Sequence, residues 1–133
     1  LANGAGLALA TMDVISAMGQ AYGLRPANFM DIGGGARSDT VETGVRLLLG
    51  YLRLKSLVLN VFGGMTRADE VAQGIISACT TMGLPVPLIL RLEGIHSQTG
   101  RERLAEAGFP NLRFASSLNQ AVKLAIDAAR GER

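Results

Sequence analysis

The chain has 133 residues, 48% hydrophobic and 18% charged, with formal net charge +2, a balance suited to one domain that buries its own core. The basic residues are scattered and aromatics reach only 5%, which argues against a nucleic-acid surface. No apolar run approaches the ~18 residues that cross a bilayer, and no signal-peptide pattern opens the chain.

The single cysteine, Cys79, excludes an internal disulfide and fits a reducing compartment. A soluble protein of the cytoplasm or an organelle matrix is expected. The 17 glycines are about twice the usual share. They cluster without a period, as tight turns or close backbone approaches require.

In chain order, a helix is predicted from about Leu7 to Tyr22, with Leu7, Met12, Ile15 and Met18 near helical spacing and Gly23 ending it. A short strand, Asn28 to Ile32, stops at Gly33-Gly34-Gly35. Ser38 or Asp39 then caps a second helix, with Glu42 set for a capping box and Val41, Val45 and Leu48 forming the buried stripe. Ser56 to Phe62 is almost continuously apolar, the pattern of a parallel strand covered on both faces. After Gly63-Gly64 a third helix carries Val71, Ile75, Cys79 and Met82. Pro85 to Leu92 is another strand, and Ser97 or Thr99 opens a helix to about Ala107. Leu112 to Ala115 is a last strand, and Ser117 with Gln120 caps a final helix bearing Val122, Ala125 and Ala129.

This alternation predicts an α/β fold: one domain over residues 1–133, with an open, mostly parallel sheet and helices on both faces. The turn Asn3 to Gly6 calls for a strand before it, yet only Leu1 and Ala2 stand there. The first strand is therefore expected to be largely absent, and the sequence reads as a piece of a longer chain.

Ligands of open α/β sheets bind beyond the carboxyl ends of the strands. Three glycine clusters are predicted there: Asn3 to Gly6, Gly33 to Gly35 and Gly63-Gly64. Each precedes a helix whose first N–H groups and positive dipole end favour a phosphate or carboxylate. In Phe62-Gly63-Gly64-Met65-Thr66-Arg67-Ala68-Asp69, Thr66 is the predicted N-cap, Asp69 its reciprocal partner, and Arg67 a fixed charge. The residues alone leave two readings open, an anion cradle or a plain strand–helix turn.

The first cluster has Leu9 where a dinucleotide fingerprint needs its third glycine, and no Walker A pattern occurs. His96 has no neighbouring nucleophile and reads as a solvent-facing residue, Cys79 as a core residue, and Asp13 and Asp31 as isolated carboxylates. Nothing has metal-ligand spacing. The sequence offers binding parts without self-contained catalytic machinery.

Asn3-Gly4-Ala5-Gly6-Leu7-Ala8, Pro26-Ala27-Asn28-Phe29, Asp31 to Gly35, Asn60 to Gly64 and Arg91-Leu92-Glu93-Gly94 occur in familiar order and spacing. Together they closely resemble the C-terminal domain of succinate–CoA ligase (succinyl-CoA synthetase) beta subunits, over essentially the whole chain. The resemblance implies a flavodoxin-like domain of a tricarboxylic acid cycle enzyme, an acid–thiol ligase. That enzyme forms succinyl-CoA with ATP or GTP, through succinyl phosphate and a phosphohistidine on the alpha subunit.

The resemblance further implies that Asn3, Gly64, Met65 and Thr66 contact the substrate carboxylate, succinate or a related dicarboxylate, beside the alpha subunit. The helix start at Gly63, Gly64, Met65, Thr66 and Arg67 would face the phosphohistidine. No cofactor is expected within this chain. CoA, ATP or GTP and Mg2+ would bind elsewhere, the nucleotide in an N-terminal ATP-grasp domain missing here, and the isolated fragment would be inactive. Compartment follows source: bacterial cytoplasm or mitochondrial matrix.

Two departures stand out: Ala68 where the family often has cysteine, and Ile95-His96 where it usually continues Thr-Asn after Leu-Glu-Gly. The competing readings are a malate–CoA ligase beta subunit and a free-standing flavodoxin-like anion-binding module.

Overall fold

The computed structural model describes residues 1–131. Its helices are α1 (Ala5–Gly19, continued by a 3-10 turn at Gln20–Tyr22), α2 (Ser38–Leu49), α3 (Ala68–Met82), α4 (Ser97–Ala107) and α5 (Leu118–Ala129). The strands are β1 (Leu57–Val61), β2 (Leu88–Leu92) and β3 (Leu112–Phe114). They form a parallel sheet in the order β1-β2-β3, with Leu57 opposite Leu88 and Leu88 opposite Leu112.

The sheet continues past β1 through single bridges. Ala2 pairs in parallel with both Asn60 and Asp31. Leu1 O accepts from Asn60 N at 2.8 Å on one side, and on the other Ala2 N donates to Met30 O and Ile32 N to Ala2 O, each at 3.0 Å. Reading across the sheet gives residues 30–32, residues 1–2, β1, β2 and β3. This is the doubly wound order of flavodoxin-like folds, with its switch point between residues 1–2 and β1.

The strand predicted at Asn28–Ile32 reduces to one bridge at Asp31, because Ala2 is the residue it faces. The second predicted strand, Pro85–Leu92, begins only at Leu88, after two prolines that have no N–H to give a ladder. All five residues of β1 are buried, as a strand covered on both faces requires.

Helices α2, α3 and α4 cover one face over the main core, where Val41, Val45, Val71, Ile75, Leu59 and Leu90 are completely buried. Helices α1 and α5 pack together on the other face, over Val58, Ile89, Ala121 and Ala125. A Cβ on Gly74 would come within 2.6 Å of Ser38 O and of Val41 Cβ, so glycine sets the α2–α3 spacing. Met82, the last member of the predicted α3 stripe, is exposed where the helix leaves the core. The predicted α1 stripe is only half-buried. Met12 and Ile15 line a cavity of about 480 Å³, bounded also by Leu1, Met30, Val58 and Ile126.

Cys79 lies in the main core as expected, and burial pushes its thiol up to about 11. Among the described residues no helix is long and apolar enough to cross a membrane.

Candidate functional site

The three glycine clusters and the Gly94 turn meet at the carboxyl end of the sheet, joined by three polar side chains. The Asn3 carboxamide behaves as one more peptide unit of a strand. Its Oδ1 accepts from Phe62 N at 2.9 Å, and its Nδ2 donates to Phe62 O at 2.8 Å. The second Nδ2 hydrogen goes to Thr66 Oγ1 at 2.6 Å. The Thr66 hydroxyl donates to Gly34 O and is 1% exposed. Asp31 Oδ1 accepts from Gly4 N and from Gly33 N, both at 2.8 Å. Asn3 and Thr66, buried polar groups that satisfy one another, fix the loop more firmly than apolar packing alone.

The loop after β1 is also held from β2. Ile95 N donates to Thr66 O at 3.2 Å, and Ala68 N donates to Ile95 O at 2.8 Å. Gly94 makes this approach possible. Its φ is +136°, and a Cβ there would sit 2.8 Å from Thr66 O and 3.0 Å from Gly63 O. Helix α4 closes up in the same manner, since a Cβ on Gly100 would reach 2.7 Å from Ala68 O.

Every residue predicted for the site is therefore in one place, in two different roles. Asn3 and Thr66 are buried and bonded to each other. Gly63 has a φ of +114°, and Gly64 has open space where a Cβ would stand. Met65 is 81% exposed. The N–H groups of Gly64 and Met65 have no acceptor among the described residues. They precede α3, whose N-cap residue Arg67 makes no side-chain capping bond. The arrangement offers an anion two free N–H donors and the positive end of a 15-residue helix.

Several capping expectations change. Thr66 does not cap α3, because its hydroxyl is taken by Asn3 and Gly34 on neighbouring loops. Asp69 faces Arg67 instead, at 2.8 Å. Burial works to raise the Asp69 carboxyl, but the Arg67 hydrogen bond and charge, with bonds from the backbone N–H groups of Glu70 and Asp69, hold it below the usual carboxylate value.

Helix α2 starts after Arg37, so Ser38 and Asp39 are already inside it and neither caps it. The cap comes from α3, where Glu70 Oε2 accepts from Ser38 N at 2.8 Å, while Glu42 pairs with Arg46 at 3.6 Å. At α5 the expectation holds, with Ser117 Oγ accepting from Gln120 N at 3.1 Å. The Gln120 side chain turns back to Ser116.

His96 is exposed at the N-cap of α4 with a φ of +61°. Among the described residues no group of three His, Cys, Asp or Glu side chains could hold a metal ion. The sequence alone reads Asp31 as an isolated carboxylate, whereas the structure bonds it to two loops. Its spacing two residues before Gly33 was the available signal, since aspartate in a turn accepts from the N–H two residues on.

Fold and site together define an open doubly wound α/β domain with two free backbone N–H groups, of Gly64 and Met65, in a switch-point loop. Residues 1–127 match the CoA-ligase family, and the chain belongs to it. It is 44% identical over 132 residues to "Succinate--CoA ligase [ADP-forming] subunit beta" of Actinobacillus pleuropneumoniae serotype 5b (strain L20), covering 99% of this chain and 33% of that protein. With the subunit of the same name from Thiobacillus denitrificans it shares 46% over 129 residues, covering 97% of this chain and 32% of that one. The chain thus spans about a third of the length of these relatives.

Solved structures share the fold. A Pyrococcus horikoshii OT3 protein superposes with a TM-score of 0.72 at 19% identity, over 96% of this chain and 34% of its own. The dinucleotide-forming acetyl-coenzyme A synthetase 1 of Ca. Korarchaeum cryptofilum, in complex with phosphate and ADP, gives 0.66 at 18%, over 97% of this chain and 31% of its own.

Proposed function

We propose that this chain is the C-terminal domain of a succinate–CoA ligase beta subunit. In this reading it binds the substrate carboxylate and stabilises the phosphohistidine of an alpha subunit during nucleotide-dependent succinyl-CoA formation. One observation carries the proposal: the free Gly64 and Met65 N–H groups lie at the switch point, in the loop that leads into α3. Donors fixed before the reaction lose no reorganisation energy as negative charge moves onto the bound group, and each such donor contributes roughly 10²–10³ in rate.

Asn3 and Thr66 serve the site in this reading through the loop they hold. Both Asn3 amide hydrogens are engaged by Phe62 and Thr66, which leaves the backbone N–H groups of Gly64 and Met65 as the available donors. Arg67 adds positive charge at the same helix start, shared with Asp69.

Nucleotide, Mg2+ and CoA would bind outside this domain, the nucleotide in an ATP-grasp domain of the full enzyme. The test is reconstitution of the complete beta chain with an alpha subunit and assay of CoA ligation with succinate and with malate. Succinyl-CoA formation supports the reading. Preference for malate would assign the sibling activity, and absence of ligation with either acid would refute a ligase role.

A further inference from the structure

On the α1–α5 face of the sheet, just below the site, β2 carries Arg91 beside Asn60 of β1. The position alternates with buried Ile89, so a charged residue stands where the strand pattern calls for an apolar one. The Arg91 guanidinium lies over the Phe62 ring, 4.5 Å from its centroid. Its Nη1 donates to Asn60 Oδ1 at 3.3 Å, and Asn60 in turn donates to Thr11 Oγ1 of α1 at 3.0 Å. The Nε is buried without a partner. No carboxylate among the described residues forms an ion pair with Arg91. Stacking on an aromatic ring attracts the cation but leaves its N–H groups unfilled, and a partly buried charge without a counter-ion is costly.

The surroundings indicate what fills it. Arg91 and Phe62 line neither the cavity under α1 and α5 nor the shallow one on α2. At the same end of the sheet Phe62, Met65 and Ile95 are exposed apolar side chains. A cation rimmed by apolar surface is a protein-interface pattern, in which an arginine anchor is dried by its neighbours and meets an acid from the other side. We propose that Arg91, laid on Phe62, receives a carboxylate side chain of the partner polypeptide when the ligase assembles. The inference rests on the proposed function and names the chemistry of the partner at that site.

The experiment uses the full-length chain and its alpha-type partner, comparing wild type, Arg91→Met and Arg91→Lys. Methionine keeps contact with Phe62 and removes the charge. Association of Arg91→Met is expected to be weaker by tenfold or more, with a flatter dependence on salt, and Arg91→Lys to recover part of the loss. Free of the partner, Arg91→Met leaves the buried Asn60 Oδ1 without its donor, so the free chain should lose some stability in either role. A purely structural arginine would show that loss with the association of the folded chain unchanged, and that result overturns the proposal. Association within twofold of wild type also overturns it, as does unchanged association with a raised KM for acid or CoA, which would make Arg91 a ligand contact. If wild-type chains themselves fail to associate, the proposed function falls as well, which separates the two failures.

Discussion

Two helix starts in this molecule obey the same physics and end differently. At α5 the Ser117 hydroxyl fills the Gln120 N–H, and the Gln120 side chain returns to Ser116. At α3 the N-cap residue makes no side-chain capping bond. Thr66 holds Asn3 and Gly34, Asp69 holds Arg67, and Glu70 caps α2. The loop leading into α3 keeps the Gly64 and Met65 N–H groups open, on a backbone held by Asn3, Gly94 and Ile95. The first helix start is closed by its own cap, whereas at the second Ile95 O takes the Ala68 N–H and the loop before the helix is rigid with two N–H groups unfilled. Rigid, unfilled donors are what an anion site needs.

Substitutions can break or sharpen this contrast. The largest effect is expected from Gly64→Ala in the assembled enzyme. A methyl group there meets nothing within 4 Å, so the fold should tolerate it, yet it would stand where the anion approaches. Turnover should fall by about 10²-fold, with thermal unfolding within a degree or two of wild type. Thr66→Val removes the hydroxyl shared by Asn3 and Gly34, leaving the buried Asn3 Nδ2 donor unfilled. Urea unfolding should show a loss of about 1–3 kcal/mol, with turnover reduced through the displaced loop.

Ser117→Ala should lower stability by about 1 kcal/mol and leave turnover of the assembled enzyme unchanged. A clear loss of turnover would blur the distinction between the two helix starts. The smallest effect belongs to Asp69→Asn, because Arg67 is largely exposed and surface pairs contribute at most about 1 kcal/mol. The Asp69 carboxyl is held below its ordinary value in the folded state. Its stabilisation is therefore present above the unfolded carboxylate pKa and fades as pH falls through the lowered one. The gap between Asp69→Asn and wild type, read from unfolding midpoints, should accordingly close in acid.

Much of the architecture is legible in local pattern. The unbroken apolar run of β1, the Val71–Ile75–Cys79 stripe of α3 and the Ser117 cap all depend on residues within a few positions of one another. The gathering of the three glycine clusters followed from the α/β alternation. Thr66 was misassigned because capping rules weigh nearby partners, whereas its partners lie 63 and 32 residues away. Asp31 was half legible: its bond to Gly33 follows a local turn rule, while its bond to Gly4 crosses 27 residues. The strand at Asn28–Ile32 was overread because an apolar run shows β tendency and not the length of the neighbour it will meet. Glu70 capping another helix leaves no trace in either segment alone.

The central claim is that the Gly64 and Met65 N–H groups hold the anion. Selective ¹⁵N labelling of glycine and methionine in the full chain, bound to the proposed alpha subunit, allows those amides to be followed as succinate or inorganic phosphate is added. The account predicts saturable shifts at Gly64 and Met65, with the amides of other labelled residues little changed. Ligand-dependent activity with both resonances unmoved would contradict it.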